Sequence, residues 1–174
     1  MFEVRESDVI YEGVLFDLKR VVLASDGLEM VREVVVHPGA VAIVPFVDDD
    51  RVVLVEQYRY AADRWLLEVP AGTIEDESPE ICAARELEEE TGFRAKSLKK
   101  IAAFYLAPGY STELLHVFIA GDLEPSRPAP EQDERIRTHV FGFAETLEMV
   151  KNGKIVDAKT IAALLMVDKF YCRR

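Results

Sequence analysis

Apolar and polar residues alternate in part over residues 9–24 and again over 28–37, both rich in valine, with the turn sequence Ser25-Asp26-Gly27 between them. The pattern predicts an opening β-hairpin, which the break at His37-Pro38-Gly39 ends. Residues 41–47 and 52–60 are two further apolar runs around Asp48-Asp49-Asp50-Arg51 and predict a second hairpin. Residues 66–69 form a short strand that leads into a glycine-bearing loop. Beyond a polar helix, strands are predicted at 97–105, 113–120 and 135–143, and helices at 144–151 and 158–171 with Asn152-Gly153 as the stop between them. Residues 124–134 contain three prolines and an acidic end, and predict a loop beside a strand. No internal repeat or low-complexity tract interrupts this order. It predicts an α+β fold: a mixed sheet sandwiched between helices over 39–174, preceded by a small separate sheet over 1–38.

The polar helix carries the most chemistry. Ser78 suits an N-cap, Pro79 the first turn and Gly92 a C′ glycine, so a helix is predicted between Ser78 and Gly92. At about 100° per residue, Glu86 and Glu90 lie one above the other with Glu89 beside them, while Ile81, Ala84, Leu87 and Thr91 form the opposite, core-facing side. Like charges four apart destabilise a helix by a few tenths of a kcal/mol per pair, roughly. The cluster is therefore either diluted by solvent or neutralised by hard divalent cations, which prefer oxygen ligands.

Composition narrows the classes. At 174 residues and 49% hydrophobic the chain can build one core. Its net charge of −11, with no run of Lys or Arg longer than two, argues against nucleic-acid binding. Cys82 and Cys172 form no Cys-x-x-Cys pair, so neither a zinc site nor a disulfide framework is expected. The longest apolar stretch, residues 39–47, is too short to span a bilayer and contains Pro45. The first residues lack the basic-then-apolar order of a signal peptide, and a cytoplasmic location without membrane attachment is expected.

The segment Ala71-Gly72 through Glu77 to Arg85-Glu86-Leu87-Glu88-Glu89-Glu90-Thr91-Gly92-Phe93 resembles the Nudix box. The last nine residues fit its pattern at every defined position, and seven residues separate Glu77 from Arg85 as the pattern requires. One departure is present: four residues separate Gly72 from Glu77 where the pattern has five. The likeness extends over nearly the whole chain, implies a Nudix-type α/β/α sandwich, and is closest to ADP-ribose pyrophosphatases. Four segments carry it: Arg32-Glu33-Val34-Val35 with His37-Pro38-Gly39-Ala40, Glu56-Gln57-Tyr58-Arg59-Tyr60, Glu68-Val69-Pro70-Ala71-Gly72, and Ala107-Pro108-Gly109-Tyr110-Ser111. In that family a proline at about the distance of Pro108 beyond the box marks ADP-ribose specificity. The resemblance also implies a homodimer in which the N-terminal strands reach the partner.

A diphosphate repels nucleophiles, and divalent cations both shield its charge and lower the pKa of a coordinated water. Carboxylates together with phosphates suit Mg²⁺, with Mn²⁺ as an alternative. Glu86, Glu90 and additionally Glu89 are expected as metal ligands, with the Ala71 carbonyl added by the resemblance. Arg85 can pair with Glu89 and fix its orientation, and Glu88 points away from the site. Arg59, Arg32, Pro108 and Gly109 are expected to meet the substrate. The general base is expected in the acidic loop: related enzymes carry Glu-x-Glu ahead of the following strand, which falls on Gln132 and Glu134 here, so Glu134 ranks first and Glu131 second. His37, His116 and His139 lack partner spacing and are read as structural or surface residues. Trp65 and Tyr110 are open to packing or to stacking on adenine. The chain is thus expected to cleave ADP-ribose to AMP and ribose 5-phosphate. Alternatives are another nucleotide-sugar or dinucleotide substrate, or a non-catalytic ADP-ribose sensor, against which the intact carboxylates argue.

Overall fold

A computed structural model of the chain describes residues 2–127 and 136–171. They fall into two compact units, residues 1–40 with 103–115 and residues 41–102 with 116–174.

The first unit is built on an antiparallel meander of β1 (Glu3–Glu12), β2 (Asp17–Ser25) and β3 (Leu28–Val36). The β2–β3 turn is the one the sequence signals. Ser25 pairs with Leu28 across Asp26 and Gly27, both at positive φ (53° and 78°), as a tight turn matched to strand twist requires. The single strand expected over 9–24 is instead two. The chain reverses at Gly13, where a Cβ would stand 2.5 Å from the Phe16 carbonyl oxygen, and a lone glycine in an apolar run gave little warning of it. Every position of β1 is exposed. Residues 107–112 lie beside β3: the Val35 amide donates to the Tyr110 carbonyl (2.8 Å), and the Thr112 amide donates back to the Val35 carbonyl (3.0 Å).

The remaining strands form two further sheets. One is antiparallel, in the order β10 (Ile136–Gly142), β5 (Arg51–Arg59), β6 (Arg64–Glu68). The other runs β7 (Ala71–Thr73), β4 (Ala40–Pro45), β9 (Leu114–Pro125), β8 (Phe93–Tyr105). The hairpin expected across Asp48-Asp49-Asp50-Arg51 is corrected here. β4 and β5 enter different sheets and are joined only by the bridge of Phe46 to Val52. Both are interior strands with their apolar runs buried on both faces, so the short acidic connection passes the chain between sheets and pairs its flanks only at that bridge, where the Val47 amide donates to the Arg51 carbonyl (2.9 Å). β9 also runs to Pro125, two residues into the stretch expected to be loop.

Among the described residues, three α-helices belong to the second unit: α1 (Pro79–Thr91), α2 (Phe143–Lys151) and α3 (Ala158–Phe170). Cys82, Ala83 and Leu87 of α1 pack with Val41, Ile43, Ile74, Phe118 and Ala120, which seats the helix on β4 and β9. The expected core face is therefore rotated. Ile81 is 60% exposed and Ala84 lies outward, while Glu90 is buried. The rotation has a polar cause, because it carries Glu86 and Glu90 towards the backbone of β7. The α+β class and the separate N-terminal antiparallel sheet are as the sequence leads one to expect. Among the described residues, no helix is long and apolar enough to cross a membrane.

Candidate active site

Capping fixes α1 at both ends. The Ser78 side chain accepts from the Ile81 amide (3.4 Å), and Gly92 at φ 72° closes the helix with its amide on the Glu88 carbonyl (2.9 Å). Within that frame Arg85 is the hub of the acidic cluster. Its Nε and Nη2 donate to Glu77 Oε1 (3.0 and 2.8 Å), while Nη1 lies 2.8 Å from both Glu89 Oε2 and Glu86 Oε1. The shortened loop therefore still delivers Glu77 to Arg85. Burial works to lower the Arg85 pKa, but the three carboxylates outweigh it and hold the guanidinium firmly charged. The same environment pushes the Cys82 thiol up to about 12, through burial first and the Glu86 charge second. Cys82 is thus a core thiol.

Two contacts join the helix to β7. Glu90 Oε2 accepts from the Ala71 amide (3.1 Å), and the Glu86 carboxylate lies over Gly72 so closely that a Cβ there would stand 2.0 Å from its carboxyl carbon. This opening at Gly72, faced by carboxylates and a backbone strand, is the observation against which a metal can be judged. As the side chains stand, no group of three acidic, histidine or cysteine residues among the described residues is placed to hold a metal ion, and Glu77, Glu86 and Glu89 turn onto the Arg85 cation instead. The donor set fits a hard divalent ion in kind: carboxylate oxygens on one helix wall against backbone with no side chain in between.

Glu88 does point elsewhere, to Arg94 Nε (2.7 Å) and the Ser126 hydroxyl. Ser126 also donates its amide to the Gly92 carbonyl (2.6 Å), and Thr138 reaches the Glu90 carbonyl (3.3 Å). Glu131 and Glu134, expected to supply the base, lie outside the described residues. Arg59 grips Glu68 with a two-pronged fork, Nε to Oε1 at 2.8 Å and Nη2 to Oε2 at 2.7 Å. Arg32, Pro108 and Gly109 belong to the first unit, where Pro108-Gly109 forms the exposed tip of the turn bonded to β3 and Arg32 lies exposed on that strand. Trp65 packs edge-on to Tyr58 with the Arg137 guanidinium over its ring, and Tyr110 is exposed. None of the three histidines lies in the acidic cluster. His37 accepts from the Gly39 amide, His139 stacks on Phe141, and burial lowers the pKa of His116.

Sequence reasoning passed over one group, the buried Glu68 with Lys159, Asp157 and Thr160. Its signals were present: a glutamate inside Leu66-Leu67-Glu68-Val69, and the capping pattern Asp157-Ala158-Lys159-Thr160. Burial alone would raise the Glu68 carboxyl, but Arg59 and Lys159 outweigh it and hold its pKa below the ordinary carboxylate value.

Comparison with known proteins bears on the family of the chain. The NUDIX domain family matches residues 36–164. The chain is 40% identical over 159 residues to an ADP-ribose pyrophosphatase of Bacillus subtilis (strain 168), covering 89% of this chain and 86% of the relative. It is 36% identical over 172 residues to a GDP-mannose pyrophosphatase of Cronobacter sakazakii, covering 91% and 87%. A solved structure described as an ADP compounds hydrolase superposes with a TM-score of 0.86 at 27% identity, covering 97% of this chain and 93% of that one.

Proposed function

We propose, from the premise that the chain belongs to the Nudix family, that it is a metal-dependent pyrophosphohydrolase which adds water across the diphosphate of ADP-ribose to give AMP and ribose 5-phosphate. The carrying observation is the carboxylate wall of α1 held against the Ala71-Gly72 backbone. Glu86, Glu90, additionally Glu89, and the Ala71 carbonyl would hold the cation, Mg²⁺ or alternatively Mn²⁺. When bound there, the ion shields the diphosphate charge and makes water a better nucleophile at neutral pH.

The other roles belong to the chain. Arg85 orients Glu89 and Glu86 and keeps the crowded carboxylates compatible with the fold. Glu134, with Glu131 as the alternative, takes the proton of the attacking water. Arg59 lies within electrostatic reach of Glu90 and presents positive charge to a phosphate. Arg32 and the Pro108-Gly109 tip meet the nucleoside diphosphate sugar, and the chain works as a homodimer through its N-terminal sheet. The relative that acts on GDP-mannose keeps a second nucleotide sugar as the alternative substrate.

The test compares kcat/KM for ADP-ribose, GDP-mannose and nucleoside triphosphates in Mg²⁺, with products resolved by chromatography. ADP-ribose is expected to lead. Glu86→Gln and Glu90→Gln should each lower kcat by about a hundredfold or more, equivalent to about 3 kcal/mol. Glu134→Gln should cost about a hundredfold with a changed pH profile. Near-parental turnover by both helix variants would remove the metal assignment, and equal efficiency on a triphosphate would remove the substrate.

A further inference from the structure

Glu68 ends β6 with 1% of its surface exposed, three residues before Ala71, and two cations close on it. Arg59 forks onto both of its oxygens, and Lys159 Nζ contacts Oε2. Asp157 balances the second cation at 3.1 Å. The same Asp157 caps α3, accepting from the Thr160 amide (3.0 Å) and from the Thr160 hydroxyl (2.6 Å). That donation leaves a lone pair of the fully buried Thr160 Oγ1 for the Val69 amide, which reaches it at 2.9 Å.

We propose that the first turn of α3, through Thr160 and Lys159, is a positioning device for the cation site: it fixes the Glu68-to-Ala71 segment, and with it the Ala71 backbone, against Glu90. Three consecutive residues are each tied to a different element. The Val69 amide is held by α3, the Pro70 carbonyl by the Ile43 amide of β4 (2.9 Å), and the Ala71 amide by Glu90 of α1 (3.1 Å). Pro70 has no amide hydrogen and a fixed φ, which removes the remaining slack. A stability role alone does not explain the cluster, because buried ion pairs seldom stabilise a fold better than apolar residues of the same volume. Its place in the chain does, since backbone that must present an oxygen to an ion gains from outer supports that hold its orientation. Thr160 and Lys159 are positioning residues; neither is assigned a contact with substrate or ion.

The inference rests on the proposed metal reading, so the experiment carries a control for it. Binding of Mn²⁺ is followed by the electron paramagnetic resonance of the free ion, which needs no turnover, and kcat and KM for ADP-ribose are read beside it. Thr160→Val keeps the shape and removes the hydroxyl, while Thr160→Ser keeps the hydroxyl. Thr160→Val is expected to weaken Mn²⁺ binding about tenfold and to lower kcat with KM for ADP-ribose little changed, and Thr160→Ser to restore binding to within about threefold of the parent. Lys159→Gln leaves Thr160 in place and should weaken binding in the same direction. Parental Mn²⁺ affinity in Thr160→Val, or a Thr160→Ser variant as weak as Thr160→Val, overturns the inference. Should Thr160→Val fail to fold, parental affinity in Lys159→Gln overturns it instead. If Glu90→Gln binds Mn²⁺ as the parent does, the metal reading falls and takes this inference with it. A weakened Glu90→Gln beside a silent Thr160→Val removes the inference alone.

Discussion

Gly72 separates function from stability at the scale of one residue. An added Cβ would meet the Glu86 carboxylate, with its carbon at 2.0 Å and its oxygens at 2.1 and 2.5 Å. These atoms are the far end of a flexible side chain, so Glu86 can swing away at small cost while losing its place at the site. Gly72→Ala should therefore lower kcat at least about tenfold and change stability by less than about 1 kcal/mol. Parental turnover would show that Glu86 is not needed where it stands. Glu68 gives the opposite kind of variant. Its folded pKa is depressed, so its contribution to stability is present above the ordinary value of 4.5 and is lost as pH falls through the folded value. Glu68→Gln should destabilise the protein at neutral pH by about 2–3 kcal/mol, the low end for a broken buried pair because Arg59 keeps contact with water. The gap between the two melting curves should narrow as pH falls below that ordinary value. A gap independent of pH would mean that the carboxylate charge is not what stabilises β6.

At the scale of the element, α1 shows what a sequence conveys and what it leaves open. Its ends were legible because caps are local chemistry, and Ser78, Pro79 and Gly92 sit where the helix begins and ends. Its rotation was not legible. A wheel drawn from side-chain polarity places the carboxylates away from the core, whereas Glu90 is buried because its partner, the Ala71 amide, belongs to a strand nineteen residues earlier. β4 and β5 failed for the same reason: two apolar runs around an acidic turn look like a hairpin, and only the sheets they join distinguish a hairpin from a crossing. The short strand β7 was hidden inside the glycine loop, and the buried charges at Glu68 needed Lys159, ninety-one residues on, to make sense. Where the caps are concerned, magnitudes follow directly. Gly92→Ala forces a side chain into φ 72° and should cost about 1–2 kcal/mol in urea unfolding. Ser78→Ala should cost nearer 0.5 kcal/mol, the low end for an N-cap, since its bond to the Ile81 amide is long at 3.4 Å. Equal costs would mean that the αL residue does not close the helix.

The whole molecule carries a net charge of −11 and yet leaves several large apolar side chains exposed on its N-terminal sheet. In β1 every residue is exposed, and Val4, Val9, Ile10 and Tyr11 stand 45–59% open, continued by Val14, Leu15 and Phe16 in the following turn. Apolar side chains exposed in this way offer a surface for association, since fully covering one contributes about 1.5–3 kcal/mol. A second copy of the chain is the occupant proposed here, and a twofold arrangement lets two such strands cover one another. Light scattering on the full chain should then give twice 19.6 kDa at micromolar concentration. Ile10→Glu combined with Tyr11→Glu should shift the population to monomer, because two buried charges at a like-charged interface oppose association by several kcal/mol, roughly. Removing residues 1–37 takes away all three strands of the meander, including β3, to which residues 107–112 are bonded. That deletion should abolish both the dimer and the ordered Pro108-Gly109 turn, and with the turn the preference for ADP-ribose. A parent that is monomeric at micromolar concentration, or a truncated chain that stays folded, active and selective, would leave the N-terminal sheet without the role given to it.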